Sequence, residues 1–437
     1  MNSKLPFSEI AEVVMGQSPT KENVNSESNG FPLLNGPTEF TARYPTPVQF
    51  TTVGKKFSQP GDILFCVRGS TTGRMNYSDQ KYAIGRGIAA IRGKNGYPTP
   101  YVRAVIEQNL ERLLAAATGS TFPNVGRDLL LNFEIEVISP ERATLANDLI
   151  VSLEDKIESN RQTSQTLEQI AQALFKSWFV DFDPVKAKIE TLAQGGSAED
   201  AELAAMSAIS AKTLDELNNL KAGNPEAFNK LAQTAALFPA AMQDSELGEI
   251  PEGWSYCTFG DISACFDSKR VPLSKRKREE KQPGTIPYYG ATSVMDYVNE
   301  WIFDDTYLLL GEDGSVVKDD GTPFVQYIWG KSWVNNHAHV LQGNNGVSTE
   351  HLMVFIKGTN IASYVTGAVQ LKLNQKNMNS IPFLKASTEI NLVFQGVLNG
   401  LYDAYKNNIE SYQSLSSLRD SLLPRLLSGE MELKDKE

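Results

Sequence analysis

The sequence predicts an α+β protein in which two pseudo-repeated α/β modules are separated by long antiparallel coiled-coil helices. A chain of 437 residues exceeds a single ordinary core, so more than one domain is expected. Short motifs recur in the same order about 250 residues apart, and a helical hydrophobic period follows each copy. The recurring pairs are Phe7–Ile10 with Phe259–Ile262, Pro32–Thr38 with Pro287–Thr292, Thr118–Ser120 with Thr366–Ala368, and Ile157–Ser159 with Ile409–Ser411.

The repeat also sets the expected domain boundaries. They are a first module at 1–140, a central helical spacer at 141–185, an Ala-rich helical connector at 186–247, a second module at 248–390 and a C-terminal helical spacer at 391–437.

Within each module, Gly and Pro separate short β-branched or alternating segments, which is typical of mixed α/β structure. The strands predicted in the first module are Val48–Phe50, Asp62–Val67 and Phe133–Ile138, and its helix is Tyr101–Ala117. Those predicted in the second module are strands near Tyr307–Leu310 and Val325–Trp329, with a short helix at Thr349–Ile356.

From Glu141 onward, apolar residues are spaced alternately three and four apart, which predicts a heptad seam. The first seam is Ile150, Leu153, Ile157, Asn160, Ser164, Leu167, Ala171, Leu174 and Trp178, and the second is Phe394, Leu398, Leu401, Tyr405, Asn408, Tyr412, Leu415 and Leu422. A buried asparagine fixes the register of a coiled coil, so Asn160 and Asn408 favour pairing of the two helices, although exposed asparagines would carry no such meaning.

About forty helical residues would form a rod of roughly 60 Å. The connector that follows, Lys188–Ala236, is broken by Gly195-Gly196 and by Gly223–Pro225. This stretch is therefore expected to form two or three short helices that lie on the surface.

The formal net charge of −11 disfavours a globally basic field for binding nucleic acid. The charge is unevenly placed, however, with +2 over residues 1–140 and −5 over residues 184–250. A phosphate-binding face would therefore have to be built from local clusters of cations.

Cysteine and histidine usage gives no sign of a metal site. Cys66, Cys257 and Cys265 lack CxxC spacing, and the three histidines, His337, His339 and His351, have no cluster of carboxylates or cysteines beside them in the sequence. The chain has no apolar run of about 18 residues and no signal-peptide pattern at its start, so we expect a cytoplasmic protein that binds no membrane.

No catalytic motif is complete. The Asn/Asp-Pro-Pro-Tyr/Phe motif of an adenine methyltransferase is absent, and Gly330-Lys331-Ser332 lacks the upstream glycine of a phosphate loop because Val325 stands there. Pro60-Gly61-Asp62 is not followed by the acidic-x-Lys pair of a nuclease. We therefore expect a chain without a catalytic site of its own, and the alternative of a self-sufficient nuclease or methyltransferase is disfavoured.

Three segments resemble conserved regions of type I restriction-modification specificity subunits. Leu167–Val185, which contains the string LFKSWFVDFDP, resembles the central conserved region of that family. Asp244–Trp254 is similar to its entry into the second target-recognition domain, and Ser421–Glu430 to its C-terminal conserved helix. The first module departs from the pattern because it lacks the Gly-Trp that precedes the second.

The resemblance implies two target-recognition domains, each of which reads one half of a split site in double-stranded DNA. It implies spacer helices that dock two modification (methyltransferase) subunits, to which restriction subunits are added. S-adenosylmethionine, ATP and Mg²⁺ are then expected on the partner subunits and no cofactor on this chain. The alternative is a coiled-coil interaction protein whose repeated modules do not bind DNA.

Reading bases in the major groove requires donors and acceptors on loops that reach the groove, with Arg or Lys suited to guanine, amides to adenine and acids to cytosine. The candidate residues of the first module are Arg68, Ser70, Thr71, Arg74, Arg86, Ser120, Thr121 and Asn124. Those in corresponding loops of the second module are Asp313, Ser315, Lys318, Asn336, His337, Gln370 and Lys372. Solvated glycine turns are the alternative interpretation, and the divergence between copies predicts two unlike half-sites.

Two further groups of residues are candidates for contacts. The densest positive cluster suits phosphate contacts, and it consists of Lys269, Arg270, Lys275, Arg276, Lys277 and Arg278. Aromatic residues at the end of the first seam belong either to a core or to a surface that docks the modification subunits, and they are Phe175, Trp178, Phe179 and Phe182.

Overall fold

The computed structural model describes residues 3–119, 123–367 and 370–431. The chain forms two compact units, of which unit 1 combines Met1–Thr163 with Asn408–Glu437 and unit 2 is Ser164–Asn407. Each unit therefore contains one α/β module and parts of both long helices.

Unit 1 opens with the first module. Its elements are β1 (Ser3–Pro6), β2 (Ala11–Met15), β3 (Phe31–Leu34), β4 (Phe50–Thr51), β5 (Ile63–Cys66), β6 (Met75–Tyr77), β7 (Ala83–Ile84), β8 (Ile88–Gly93), α1 (Thr99–Ala115), α2 (Arg127–Asn132) and β9 (Glu134–Val137). The long helix α3 (Pro140–Phe179) begins in this unit and ends in unit 2.

The first module is built on a four-stranded antiparallel sheet with the strand order β2-β8-β5-β6. A second sheet has the order β4-β3-β7, in which β3 and β7 are parallel, and β1 pairs with β9. Strand β5 is buried at every position, and Tyr101 and Val105 of α1 lie in the same core as Phe65. The β5 strand thus runs through the centre of the module, and the chain reaches the module surface just after Val67.

The remaining elements begin in unit 2. They are α4 (Asp183–Ala193), α5 (Ala198–Ser210), α6 (Leu214–Gly223), α7 (Pro225–Ala236), β10 (Met242–Gln243), β11 (Ile250–Pro251), β12 (Ser255–Thr258), α8 (Phe259–Ile262), β13 (Ser263–Cys265), α9 (Lys275–Glu279), β14 (Ile286–Tyr289), β15 (Val294–Val298), β16 (Phe303–Asp304), β17 (Tyr307–Gly311), β18 (Val325–Ile328), β19 (Lys331–Val334), β20 (Ala338–Gly343), α10 (Thr349–Gly358), α11 (Gln375–Asn379), β21 (Pro382–Lys385) and α12 (Thr388–Leu427). The last helix, α12, ends in unit 1.

The second module repeats the topology of the first and adds one edge strand, β16, to its other sheet. Its antiparallel sheet has the order β13-β20-β17-β18, its other sheet the order β15-β14-β19-β16 with β14 parallel to β19, and β12 pairs with β21. The predicted repeat is therefore a repeat of strand order and register, and the predicted fold class is confirmed.

The predicted elements of the modules agree with the structure to within two residues at each end. The strand predicted at Val48–Phe50 shares only Phe50 with the observed strand, because β4 begins at Phe50. Pro47 has no N–H group to donate to a neighbouring strand, and Val48 is exposed.

The long helices run antiparallel within each unit, and each has 40 residues. In unit 1, Arg142 near the start of α3 donates a 3.2 Å hydrogen bond to the carbonyl of Gly429, just beyond the end of α12. Asn160 is buried, and its Nδ2 donates to Ser411 Oγ at 2.8 Å. In unit 2, the end of α3 meets the start of α12, where the rings of Trp178 and Phe394 are 5.3 Å apart.

The predicted pairing of the two helices is confirmed, with one correction to the second seam. Tyr412 was predicted to lie in the seam but is exposed. The neighbouring residue Ser411 faces α3 instead, because its hydroxyl accepts the hydrogen bond from the buried amide of Asn160.

The connector is more ordered than the sequence predicted. Residues 183–236 form four helices rather than two or three, and α5 and α6 each begin with a capping box, at Ser197 and Thr213. These helices do not merely lie on the surface, because Ala205, Met206 and Leu217 are buried in the same core as Trp178. The breaks predicted at Gly195-Gly196 and Gly223–Pro225 are present, and the one that the sequence did not predict separates α5 from α6 at Ala211, whose φ is +53°.

The LFKSWFVDFDP string, which contains Trp178, lies at the centre of the unit 2 core. The Trp178 ring lies 5.2 Å from that of Phe238, which follows α7, and the Phe179 ring lies 4.8 Å from that of Phe394 and 5.6 Å from that of Trp254. The string therefore joins the connector, the second module and α12 within one unit. Among the described residues, no helix is both long and apolar enough to cross a membrane.

Candidate nucleic-acid interface

Three loops of the first module meet where β5 ends. The N–H of Val67 donates to the carbonyl of Gly87 at 2.9 Å, and its carbonyl accepts from the N–H of Val125 at 2.8 Å. The loop at 68–74, the loop at 85–87 and the loop at 123–124 are thereby brought side by side. We call this arrangement the three-loop junction.

The second module contains the same junction. The N–H of Glu312 donates to the carbonyl of His337 at 2.8 Å, and its carbonyl accepts from the N–H of Leu373 at 2.8 Å. The corresponding loops are 313–318, 335–337 and 370–372. Backbone bridges between the first and third loops are also equivalent, and they are Arg68 with Asn124 in one module and Asp313 with Lys372 in the other.

These bonds confirm the loop correspondences predicted from the sequence. The equivalent candidate residues are Arg68 and Asp313, Arg86 and Asn336, and Asn124 and Lys372. All six lie at the end of the sheet to which β5 or β17 points. Each module therefore presents its divergent side chains on a shared backbone frame.

In the first module, the exposed candidates are largely cationic. Arg68, Ser70, Arg74, Arg86 and Asn124 are exposed, whereas Thr71 is half-buried. Ser120 and Thr121 lie outside the described residues.

Arg74 holds the first loop against the rest of the module rather than extending freely. Its guanidinium donates to the carbonyls of Pro37 at 3.5 Å and Phe40 at 3.4 Å. Gly73 has a φ of +96°, and a Cβ at this position would lie 2.9 Å from the side chain of Leu110. The turn therefore requires glycine here for its backbone conformation and for the close approach.

A group of polar side chains next to Arg86 was not predicted. Ser18 Oγ accepts from the N–H of Arg86 at 3.1 Å and donates to Asn35 Oδ1 at 3.0 Å, while Asn35 Nδ2 donates to Gln49 Oε1 at 3.1 Å. The signal in the sequence was the repeated motif containing Asn35, whose counterpart is Gly290. Amide groups are the side chains that read adenine.

The junction of the second module carries charges of both signs. His337 Nδ1 contacts Asp313 Oδ1 across the first and second loops, and Lys372 Nζ lies 3.3 Å from Glu312 Oε1. The other candidates Ser315, Lys318, Asn336 and Gln370 are exposed. The two junctions thus differ in charge as well as in side-chain identity.

Beneath the second junction lies a cluster that the sequence analysis missed. The thiol of Cys265, the carboxylate of Asp267 and the ring of His339 lie within 4.8 Å of one another, so His339 has in space the neighbours that it lacks in the sequence. These residues are up to 74 positions apart in the sequence, and only the pairing of β13 with β20 brings them together.

The geometry favours a charge network over a metal site. His339 Nε2 donates to the carbonyl of Leu373 at 2.8 Å, and its Nδ1 lies 2.6 Å from Asp267 Oδ2, so both ring nitrogens are engaged. Burial raises the pKa of the Cys265 thiol to about 11. Burial also tends to raise the pKa of Asp267, but hydrogen bonding and the charge of His339 hold that pKa below its ordinary value.

The predicted basic cluster does not form one cationic face. Arg270 is turned inward, with its Nη1 at 2.7 Å from Glu312 Oε2. Arg276 and Arg278 pair with Glu280 at 3.0 Å and Asp296 at 2.9 Å.

The lysines of the cluster lie near the surface. Lys275 lies 3.9 Å from Glu279, Lys269 and Lys277 are exposed, and Lys269 lies over the Phe266 ring. Helix α9 therefore presents alternating charges, because its basic and acidic residues are four apart on one face.

The aromatic candidates for partner docking lie mostly in the core. The exposed fractions of Phe175, Trp178 and Phe179 are 8%, 2% and 4%. These side chains pack inside unit 2 and cannot form a docking surface, so of the two interpretations left open by the sequence the core is correct for them. Phe182 is half-buried and packs edge-on against Trp254 at 5.9 Å.

The chain resembles known proteins over most of its length. The family profile of the type I restriction modification DNA specificity domain matches residues 4–169 and 251–384. The HindI type I restriction enzyme specificity subunit of Haemophilus influenzae is 30% identical over 406 residues, which cover 86% of this chain and 88% of that protein. The MjaIX specificity subunit of Methanocaldococcus jannaschii is 21% identical over 404 residues, covering 86% and 78% of the two chains.

A solved structure shows the same fold. The type I restriction-modification S subunit of M. genitalium superimposes with a TM-score of 0.53 at 16% identity, covering 100% of this chain and 97% of that one. The two matched ranges of the family profile fall on the two modules, each with its three-loop junction. The chain therefore belongs to the family of type I restriction-modification specificity subunits, with two target-recognition domains.

Proposed function

We propose that each module reads one half of an asymmetric, bipartite DNA site through the side chains of its three-loop junction. In this proposal the long helices dock two modification subunits, and restriction subunits join the resulting complex. The chain itself supplies no catalytic group. Methylation of adenine and cleavage of DNA would be carried out by the partners, which would bind S-adenosylmethionine, ATP and Mg²⁺.

The observation that carries the proposal is the pair of junctions with one backbone frame and different exposed side chains. Arg68 and Arg86 are suited to guanine or phosphate, whereas Asp313 is suited to the amino group of cytosine and Asn336 to adenine. Two modules that share a backbone arrangement are expected to bind the same kind of ligand, here DNA. Because their exposed side chains differ, they are expected to recognise different base sequences. The two half-sites should accordingly be unlike.

Local charge supports DNA binding despite the net charge of −11. The first junction exposes Arg68 and Arg86. At the second junction, Lys372 and His337 lie beside carboxylates. We therefore expect the first module to contribute more of the salt-dependent affinity and the second to depend more on direct contacts with bases.

The docking of modification subunits is supported by apolar side chains that the long helices leave exposed. In unit 2, Leu392 is 56% exposed and Val397 is 37% exposed on α12. Both line a groove of about 840 Å³ whose other wall includes Leu231 and Leu237 from α7 and the chain after it. An apolar groove of this kind is typical of a protein–protein interface.

The experiment is co-expression of this chain with its modification subunit, followed by mapping of methylated adenines in the host genome. The expected result is one split motif with two unlike halves. The Arg68→Ala variant should relax a position in only one half. Absence of any split motif in the wild-type cells would contradict the proposal.

A binding measurement separates the proposal from a coiled-coil protein that does not bind DNA. The purified complex should lose affinity for a cognate duplex steeply with rising salt, and each phosphate contact removed should lower the log–log slope by about 0.9. Arg86→Ala should reduce that slope, and Glu199→Ala in the connector is the matched surface control. A complex that shows no affinity for the duplex at any salt concentration would favour the alternative, and affinity that does not depend on salt would contradict binding through phosphate contacts.

A further inference from the structure

The interior beneath the three-loop junction differs in chemistry between the two modules, although the backbone is the same. The strand registers make three pairs of interior positions equivalent. These pairs are Met15 with Asp267, Val67 with Glu312, and Ala89 with His339. The first module is therefore apolar at positions where the second carries charged or ionisable groups.

In the second module these groups form a network that reaches all three loops. Arg270 donates to Glu312 at 2.7 Å, at the start of the first loop, and to the carbonyl of Ala338 at 2.6 Å, directly after the second. His339 donates to the carbonyl of Leu373 at 2.8 Å, directly after the third loop. Asp267 contacts both of these side chains, lying 3.2 Å from Arg270 Nη2 and 2.6 Å from His339 Nδ1.

The network is largely removed from water. The side chains of Arg270, Asp267 and Glu312 are 11%, 14% and 14% exposed, and that of His339 is 1% exposed. Charges buried in this way are a poor source of stability, because the cost of desolvation offsets their attraction. The first module shows that the same backbone can be built on an apolar interior, so folding alone does not require the network.

Building on the proposed function, we infer that Asp267, Arg270, Glu312 and His339 are positioning residues for DNA recognition by the second module. They fix the three loops relative to one another through directional hydrogen bonds, which apolar contacts do not supply. The exposed groups of the second junction follow directly in the chain. Asp313 is next to Glu312, His337 is next to Ala338, and Lys372 is next to Leu373.

The network also fixes the position of the exposed side chain of Lys372. Lys372 contacts Glu312 Oε1 while Arg270 occupies Oε2 of the same carboxylate. The position of the exposed ammonium is therefore tied to the buried guanidinium. A shift of the network by about 1 Å would displace a base-reading group beyond hydrogen-bonding distance.

The test exchanges the network for an apolar interior of the kind found in the first module. The exchange variant combines Asp267→Met, Glu312→Val and His339→Ala with Arg270→Met, which avoids an unpaired buried cation. Purified complexes of the chain with its modification subunit are titrated with a labelled cognate duplex. Each unlabelled competitor duplex has one of the two half-sites scrambled, so that discrimination is measured for each half-site separately. Urea unfolding followed by tryptophan fluorescence reports the stability of unit 2.

We expect the exchange variant to unfold at the same urea concentration as the wild type or at a higher one. Its discrimination against one scrambled half-site should fall at least tenfold, while discrimination against the other is unchanged. The matched control is Arg68→Ala, which should weaken discrimination of the opposite half-site. That pattern assigns the network to positioning, since a merely structural role would lower stability instead.

Two results would overturn the inference. One is discrimination within twofold of the wild type at both half-sites, and the other is lost discrimination accompanied by a lower unfolding midpoint. The wild-type complex separates this inference from the proposed function. If the wild type discriminates neither half-site, the proposed function fails, whereas a wild type that discriminates both and an unchanged variant refute only the positioning role.

Discussion

The buried imidazole of His351 should make the stability of unit 2 depend on pH. His351 lies on α10 among four aromatic rings, at 4.9 Å from Phe179, 4.9 Å from Phe394, 5.5 Å from Phe383 and 5.8 Å from Phe175. Neither of its ring nitrogens has a hydrogen-bond partner among the described residues. The perturbation is the substitution His351→Leu, which keeps an apolar side chain of similar size in the cluster.

The magnitude follows from the shift in the pKa. Burial lowers the pKa of His351 to about 3, from an ordinary value of 6.5. Between these values the unfolded chain binds a proton that the folded chain does not, so stability is lost as the pH falls below the ordinary value. The slope is at most about 1.4 kcal/mol per pH unit, and between pH 7 and pH 5 the loss integrates to about 2 kcal/mol.

The assay is urea unfolding of wild type and His351→Leu at several pH values. The five tryptophans of the sequence all lie in 164–407, so their fluorescence reports unit 2 alone. Other titrating groups are common to both proteins, and their contributions cancel in the difference. Wild type should lose about 2 kcal/mol more than the variant between pH 7 and pH 5. A difference below about 0.5 kcal/mol would show that the folded cluster accepts the proton and would refute the reasoning.

Three further predictions concern single residues. Asn160→Ala should cost unit 1 about 1–3 kcal/mol, because it removes the hydrogen bond from the buried Asn160 amide to the half-buried hydroxyl of Ser411. Thermal unfolding followed by circular dichroism measures this, and an effect no larger than that of the exposed Lys156→Ala would contradict it. Trp178→Ala should cost unit 2 about 3–5 kcal/mol through lost burial and a cavity, seen as a lower urea midpoint, and an unchanged midpoint would show that Trp178 is not a core residue. Arg68→Ala should weaken binding of cognate DNA by about 1–3 kcal/mol without lowering stability, and equal binding in a filter or fluorescence titration would remove Arg68 from the interface.

Several features of the fold are encoded locally, and the sequence predicted them well. A continuous apolar run placed β5, the alternation of apolar residues placed β9, and the heptad spacing placed both long helices, because these patterns reflect which sides of an element are buried. The LFKSWFVDFDP string, which contains Trp178, indicated the family. The side-chain differences between Arg68 and Asp313 were visible because the repeat aligns the two loops.

Other features depended on contacts between distant residues. The sequence could not decide that Trp178 is core rather than surface, since both fates suit an aromatic residue at helical spacing. It grouped Arg270 with Lys275 as one basic patch, whereas the fold turns Arg270 toward Glu312.

The sequence by itself determined the repeat, the helical spacers, the family and the exposed residues that differ between the modules. Only the tertiary structure decided which of those residues share a junction and what lies beneath it. The network of Asp267, Arg270, Glu312 and His339 spans 72 positions, and strand pairing alone makes these groups neighbours. The physical reason is that helical and strand periods are properties of adjacent residues, whereas hydrogen bonds and buried charges depend on distances that the chain sets only when it folds.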